Sequence, residues 1–343
     1  MASRPTISDL ARAAGVSVAT VDRVINGRHK VRPETSRRVH DAASEIGYLN
    51  LNLIHQPEPR QGAEYRLGLI LPKPQSAFFQ SVARTFEAAA ATAPGIRAIV
   101  QIEYATELNP AGVAEMLTDM AARNQAIAIT APDYPAVTAA VEAAAARNIP
   151  VFSLFSDFAS GVRAGYIGMN NRKAGRTAAW LIARTAKHPG KVAVLVGSHR
   201  LQGHELREIG FRSFFREKAP EFDVLNTLID IDSAQSTYEQ TAALIRQHPD
   251  LVGYYITGGA IEGAIAAIRE ARLGENLRVV VTELTLDSRA ALADEIITMA
   301  ISVPLQAVCR ELVQLMIGAI DNGQASVAGQ TFVPFELHLP ESV

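Results

Sequence analysis

The sequence predicts an α/β protein in which a small all-α helix-turn-helix headpiece is followed by two doubly wound parallel-sheet lobes, and three observations predict it. Residues Thr6 to Ile25 read as two short helices around a glycine turn. Residues 65–343 alternate strand with helix in a regular beat, the pattern of parallel sheets covered on both faces. Charge is also divided: residues 1–60 carry nine Lys/Arg against six Asp/Glu, whereas residues 61–343 carry 24 against 29. A net charge of -2 therefore hides a basic head on an acidic body, an asymmetry suited to phosphate binding by one end.

In the head, Thr6 stands where an N-cap is needed and Asp9 at the capping-box position. Ile7, Leu10, Ala11 and Ala14 recur at helical spacing as one narrow apolar stripe. Gly15 supplies the turn, Val16 plugs the corner and Ser17 caps the next helix. Val21, Val24 and Ile25 then face inward, which turns Val18, Ala19, Asp22 and Arg23 out. Small side chains early in that helix let its backbone sit deep in a major groove, where Arg23 can pair with guanine or phosphate. A third helix is expected from Pro33, with Val39, Ala42, Ala43 and Ile46 as its stripe and Gly47 as its stop. The basic excess is modest, so a single head should hold duplex DNA weakly.

In the body, strands are expected at 66–71, 96–103, 126–130, 150–154, 191–197, 224–230, 253–257 and 278–282. Helices are expected at 79–93, 110–123, 135–148, 173–187, 204–218, 236–247 and 261–273. The run Val192 to Val196 is apolar throughout, as a strand buried on both faces must be. The pattern restarts near Gly165, which implies two similar lobes and a cleft at the carboxyl ends of their strands. Gln75, Phe78 and Phe79 follow the first strand. An aromatic pair there can stack on a ring, though Phe79 equally suits the core face of the next helix. Phe155, Ser156 and Asp157 follow the fourth strand. The polar run Gly197 to Glu208 places His204 and Glu205 either in the cleft or at an exposed helix start, and Arg207 after them.

Catalytic readings find little support. The sole cysteine, Cys309, lies in a long apolar helix, which argues against a disulfide or a thiol nucleophile. No phosphate-binding glycine loop follows the first strand, and Gly258-Gly259 reads as a turn. His199, His204 and Glu205 match no common zinc spacing, so neither metal nor cofactor is expected. No signal peptide or membrane span is legible, which leads to a cytoplasmic expectation.

The stretch Thr6 to Tyr48 carries Ala-Gly-Val-Ser, Thr-Val-x-Arg-Val and Asn-Gly elements and closes on Glu-Ile-Gly-Tyr. It closely resembles the headpiece of the LacI/GalR family. That resemblance implies that Val18, Ala19 and Arg23 read base edges, that Ser17, Thr20, Asn26 and Arg28 hold phosphates, and that Thr6 belongs to the same DNA-facing set. Asp22 departs from the family, where Ser is usual; it would repel phosphate, accept from a cytosine amino group, or pair with a neighbouring arginine. Residues 49–64 stand where the family has a hinge helix that wedges a Leu into the minor groove. Leu51, Leu53 and Ile54 are the candidates here, but Pro57, Pro59 and Gly62 argue for an extended tether.

The resemblance also implies a periplasmic-binding-protein-like (type I) body, 65–343, behind a head of 1–48. Its N-lobe would span 65–164 and 303–330 and its C-lobe 165–302 and 331–343, with late crossings near Ser302 and Thr331. Arg207, four residues before Phe211, falls on the family's ligand-binding arginine, and Glu283 on a ligand-binding Asp. Thr257 stands where Asn is usual, Ser302 where sugar binders often have Gln, and Asp157 is the substitute for a missing Asp or Asp-Arg pair. The function so implied is a ligand-responsive regulator of transcription, a repressor of carbohydrate or polyol genes. It would bind a palindromic double-stranded DNA operator as a homodimer and answer to a sugar, polyol or sugar acid. A cytosolic sugar sensor without DNA binding, or an enzyme with a fused regulatory head, are the alternatives.

Overall fold

A computed structural model describes residues 5–26, 35, 38–39, 42, 63–198, 200–229, 233–273, 276–323 and 329–343. The chain divides into two compact units, Met1–Ala63 with Pro94–Arg97, and Glu64–Ala93 with Ala98–Val343.

The first unit is built on α1 (Ile7–Ala14) and α2 (Val18–Asn26). Thr6 and Asp9 form the expected capping box, Asp9 N–H donating to Thr6 Oγ1 at 3.3 Å and Thr6 N–H to Asp9 Oδ2 at 3.0 Å. Gly15 ends α1 at φ 63°, a left-handed conformation that a side chain resists. Arg38 seals the same end by donating from Nη2 to the carbonyls of Ala14 (2.8 Å) and Gly15 (3.0 Å), so a positive charge meets the carbonyl end of the helix dipole. Leu10, Ala11, Ala14, Val21, Val24, Val39 and Ala42 close one small core, with Val16 packed against it. Ile7, expected in the stripe, is 36% exposed instead, because the first turn projects past the end of that core. Ala43, Ile46, Gly47 and linker residues 49–62 with the wedge candidates lie outside the described residues, whereas residues 63–64 of the expected linker already belong to the strand Ala63–Pro72.

The second unit contains two sheets. The first has strand order β12-β5-β4-β3-β1-β2, from β1 (Ala63–Pro72), β2 (Ile96–Ala105), β3 (Ala126–Ile129), β4 (Val151–Leu154), β5 (Gly165–Gly168) and β12 (Gln330–Phe332). The second runs β13-β11-β10-β9-β6-β7, from β6 (Lys191–Val196), β7 (Asp223–Val224), β9 (Leu251–Ile256), β10 (Arg278–Thr282), β11 (Met299–Ser302) and β13 (Glu336–His338); β8 (Leu228–Ile229) also pairs with β6. Ladders β1–β3–β4–β5–β12 and β6–β9–β10–β11 are parallel, and β13 runs antiparallel to β11. Parallel neighbours require a crossover, and helices supply it: α3 (Ala77–Ala91), α4 (Pro110–Arg123) and α5 (Pro135–Ala146) in the first lobe, then α6 (Asn171–Thr185), α7 (Gln202–Lys218), α8 (Ala234–Gln247), α9 (Ile261–Ala271) and α10 (Leu286–Ala293) in the second. Val192 to Val196 are fully buried, as their unbroken apolar run requires.

Two expectations are corrected here. Gly165–Gly168 joins the first sheet rather than opening the second lobe, because Tyr166 and Ile167 pair with β4 and β12; the change of lobe comes after Gly168. The late return, expected near Thr331, comes one residue later, after Phe332. The strand expected over 224–230 is two fragments, Asp223–Val224 and Leu228–Ile229. The crossing at Ser302 lies where expected: α11 (Leu305–Asn322) packs on α3, β3 and β5 of the first lobe.

α6 and α7 approach so closely that only glycine fits between them. A Cβ on Gly175 would lie 1.9 Å from the Arg207 carbonyl oxygen, and one on Gly210 2.2 Å from that of Arg172. Gly175→Ala should therefore cost at least about 2 kcal/mol in urea unfolding, by forcing two packed backbones apart. Gly161→Ala, where nothing stands within 4 Å of the added carbon, should stay within about 0.5 kcal/mol.

Candidate functional site

Two surfaces carry the functional candidates. In the first unit, Ser17 Oγ accepts from Thr20 N–H at 3.2 Å and lies 2.8 Å from Thr20 Oγ1, so Ser17 caps α2 and orders its first turn. With Val21 and Val24 buried, helical geometry turns Val18 (48% exposed), Ala19, Asp22 and Arg23 to the surface. Thr6 is exposed and Thr20 half-buried. The side chains of Ile25 and Asn26, and all of Arg28, lie outside the described residues.

In the second unit, a cleft is lined by Phe78, Phe79, Thr130, Phe155, Ser156, Met169, Leu201, Gly203, His204, Arg207, Glu283 and Val303. Five of these residues lie just beyond the carboxyl end of a strand: Thr130 after β3, Phe155 after β4, Met169 after β5, Glu283 after β10 and Val303 after β11. Phe78 brings three rings together, 5.1 Å from Phe79 and 5.4 Å from Phe155 between centroids.

Arg207 is the anchor of the opposite wall. It is 5% exposed, and its Nε donates to Asn171 Oδ1 at 2.8 Å while Nη1 donates to the Thr257 carbonyl. Asn171 Nδ2 in turn donates to the Phe155 carbonyl at 3.2 Å and to the Tyr166 hydroxyl at 3.3 Å, so one chain of bonds joins second-lobe Arg207 to the aromatic wall of the first. Ser156 adds another tie by accepting at Oγ from Gly203 N–H at 3.3 Å. His204 Nδ1 accepts from Ser198 N–H at 3.1 Å, which leaves the ring proton of the neutral form on Nε2. Burial pushes the pKa of Glu283 up to about 7, against the pull of Arg207 and Lys73. Glu283 also holds a strained φ of 96°, with its N–H donating to the Ile301 carbonyl at 2.7 Å and its own carbonyl accepting from Ser288 Oγ at 3.0 Å.

Four expected cleft residues stand elsewhere. Gln75 is exposed in the turn before α3. Glu205 is exposed because α7 turns positions 203, 204 and 207 toward the cleft and 205 away. Thr257 is fully buried behind Arg207, contributing its carbonyl, while its Oγ1 has no hydrogen-bond partner. Asp157 is consumed inside the first lobe, accepting from Arg163 Nε (2.5 Å) and Nη2 (2.7 Å), Ser153 Oγ (2.7 Å), Phe158 N–H (3.0 Å) and Gln330 Nε2 (2.7 Å). Burial works to raise its pKa, but these donors, Arg163 first, outweigh it and hold the carboxyl below the usual range. Because Gln330 lies on β12 and Arg163 Nη1 also donates to the Gly329 carbonyl at 2.9 Å, the cluster pins the returning strand to its sheet. Ser302, at the position of the family's Gln, bonds His338 Nε2 at 2.8 Å. His199 lies outside the described residues. Burial lifts the Cys309 thiol to about 12, so thiolate is scarce at neutral pH.

Sequence reasoning missed Thr130, Met169, Leu201, Gly203 and Val303 in the lining, and Asn171 behind it. Their positions just past strand ends or at helix starts were a usable signal for several, but their residue types were not.

Residues 67–325 match the family described as periplasmic binding protein domain, and residues 6–50 match bacterial regulatory proteins of the lacI family. The chain belongs to the LacI/GalR family. Among curated relatives, the HTH-type transcriptional regulator RegA of Clostridium saccharobutylicum is 37% identical over 82 residues, 24% of each chain. The sucrose operon repressor of Streptococcus mutans is 30% identical over 234 residues, 65% of each chain. The first of these matches thus spans about a quarter of the relative's length. The fold of the LacI/GalR body is shared with the glucose-galactose binding protein GanP of Geobacillus stearothermophilus, at 17% identity and a TM-score of 0.73, over 82% of this chain and 99% of that one. Among the described residues, no helix is long and apolar enough to cross a membrane.

Two outcomes follow from this geometry. A raised carboxyl pKa means that ionising Glu283 costs stability, a cost absent below about pH 4.5 and complete above about pH 7. Glu283→Gln should therefore raise the melting temperature relative to the parent at about pH 8 and lose that advantage by about pH 5, as read by calorimetry. Asp157→Ala leaves Arg163 buried and unpaired, and should lower the unfolding free energy by about 3–5 kcal/mol.

Proposed function

We propose that this protein is a ligand-responsive DNA-binding regulator of transcription, a repressor of genes for carbohydrate uptake or breakdown. The observation that carries the reading is the outward face of α2. A capped helix presents Val18, Ala19, Asp22 and Arg23 to solvent, and it belongs to the same chain as a cleft lined by aromatic rings, an arginine and a carboxyl. Small residues at the start of the helix allow close approach to base edges, and Arg23 supplies a bidentate donor for guanine. Several relatives bear the names of regulators and sugar-operon repressors, the ribose operon repressor of Bacillus subtilis and the sucrose operon repressor among them. That company favours a sugar or polyol as effector.

Two copies would pair about a two-fold axis through the outer faces of α3 and α4 and set two heads on the halves of a palindromic operator. Phe78, Phe79, Phe155, His204, Arg207 and Glu283 would hold the effector. The two lobes meet through Arg207, Asn171 and Phe155, so a ligand bound between them favours one lobe arrangement and shifts operator affinity by its differential binding to the two.

The test is a mobility shift of the DNA upstream of its own gene by the purified full chain. Retardation should weaken steeply as salt rises from about 50 to about 200 mM, and Arg23→Ala should weaken it by about 1–3 kcal/mol, or ten- to a hundredfold. Absence of retardation at low salt, or equal binding by the variant, would overturn the proposal.

A further inference from the structure

The walls of the cleft differ in chemistry, and that difference names a ligand class. On the first-lobe side stand Phe78, Phe79, Phe155 and Met169. The two hydroxyls lining this side already have backbone partners: Thr130 Oγ1 donates to the Leu154 carbonyl at 3.0 Å, and Ser156 Oγ accepts from Gly203 N–H at 3.3 Å. The carboxylate nearest in sequence, Asp157, is turned into the lobe and saturated. Among the residues that line it, this wall therefore offers hydrocarbon and π-faces and no amide or charged side chain to receive a hydroxyl; Lys73, whose charge reaches Glu283, stands outside the lining.

On the second-lobe side stand Arg207, Glu283 and His204. Arg207 spends Nε and one Nη1 proton on Asn171 and Thr257, and among the described residues no hydrogen bond uses its Nη2. A guanidinium and a carboxyl in one wall put a donor beside an acceptor. A ligand carboxylate would be drawn to the first and repelled by the second, and an ammonium the reverse. Adjacent neutral hydroxyls serve both at once.

We infer that the ligand is a deoxy sugar, with vicinal hydroxyls on the edge facing Arg207 and Glu283 and a methyl or methylene edge against Phe78, Phe79 and Phe155. The inference rests on reading this cleft as the effector site, and it narrows that reading from sugars at large to those lacking a hydroxyl on one edge. A hydroxymethyl group pressed on the aromatic wall would give up water without gaining a partner, whereas a methyl group gains by burial. An apolar pocket discriminates against an added hydroxyl by up to about a hundredfold.

The experiment is calorimetric titration of the full chain with matched pairs: L-fucose against L-galactose, L-rhamnose against L-mannose, and D-fucose against D-galactose. In at least one pair the deoxy member should bind about ten- to a hundredfold more tightly than its parent. Phe78→Ser, at a half-buried helix start, should draw that ratio toward one while its melting temperature reports that it still folds. Parents binding as tightly as their deoxy partners, no deoxy sugar binding at all, or a ratio unchanged by Phe78→Ser would each overturn the inference. A salt-sensitive shift of the upstream DNA with no preference for deoxy sugars would sink the ligand class and leave the regulator standing. Tight deoxy-sugar binding without any DNA shift would do the opposite.

Discussion

The arrangement of the second unit turns on the guanidinium of Arg207. It is almost wholly buried, and a buried cation is tolerated only where its donors are used. Asn171 at the start of α6 and the Thr257 carbonyl after β9 accept two of them, which fixes the side chain in one orientation and ties three elements together. The near contact of α6 with α7, possible only because residues 175 and 210 lack a Cβ, is what brings Asn171 within reach. Position and charge are thus coupled: packing of two backbones sets where a polar fork stands in the cleft.

The same bond network runs on to the Phe155 carbonyl and the Tyr166 hydroxyl, so the polar wall and the aromatic wall share a connection. Phe155 itself holds φ 61°, a conformation costly for a bulky residue and kept only where surroundings over-determine it. Here the Ile167 carbonyl receives its N–H, Asn171 and Tyr166 hold its carbonyl, and Phe78 meets its ring. Strain at Phe155 and at Glu283 sits on opposite sides of one cleft. Regular structure ends there and side chains are aimed by loops.

The described part of the head, α1, its turn and the start of α2, was largely legible, because its signals are local. A cap three residues from its partner, a glycine at the turn and apolar residues at helical spacing act within a few ångströms, and Thr6, Asp9, Gly15, Ser17, Leu10 and Val21 stand where those signals put them. The strand and helix beat of the body was legible for the same reason, and Arg207, Glu283, Phe78, Phe79 and His204 line the cleft as their places after strands implied. Asp157 and Glu205 misled. Whether an acid after a strand faces the cleft or an arginine six residues on is decided by side-chain direction, which spacing does not contain.

By itself, then, the sequence determined what depends on neighbours along the chain: a capped helix-turn-helix, alternating strands and helices, and the strand ends at which a site must form. Tertiary structure alone decided what depends on neighbours in space. It placed Gly165–Gly168 and Gln330–Phe332 side by side in the first sheet, and it consumed Asp157 on Arg163. It also gave the cleft one apolar and one polar wall. Four-residue strands have too few positions to announce their sheet, and a buried ion pair is chosen by distance in the folded chain rather than by order along it.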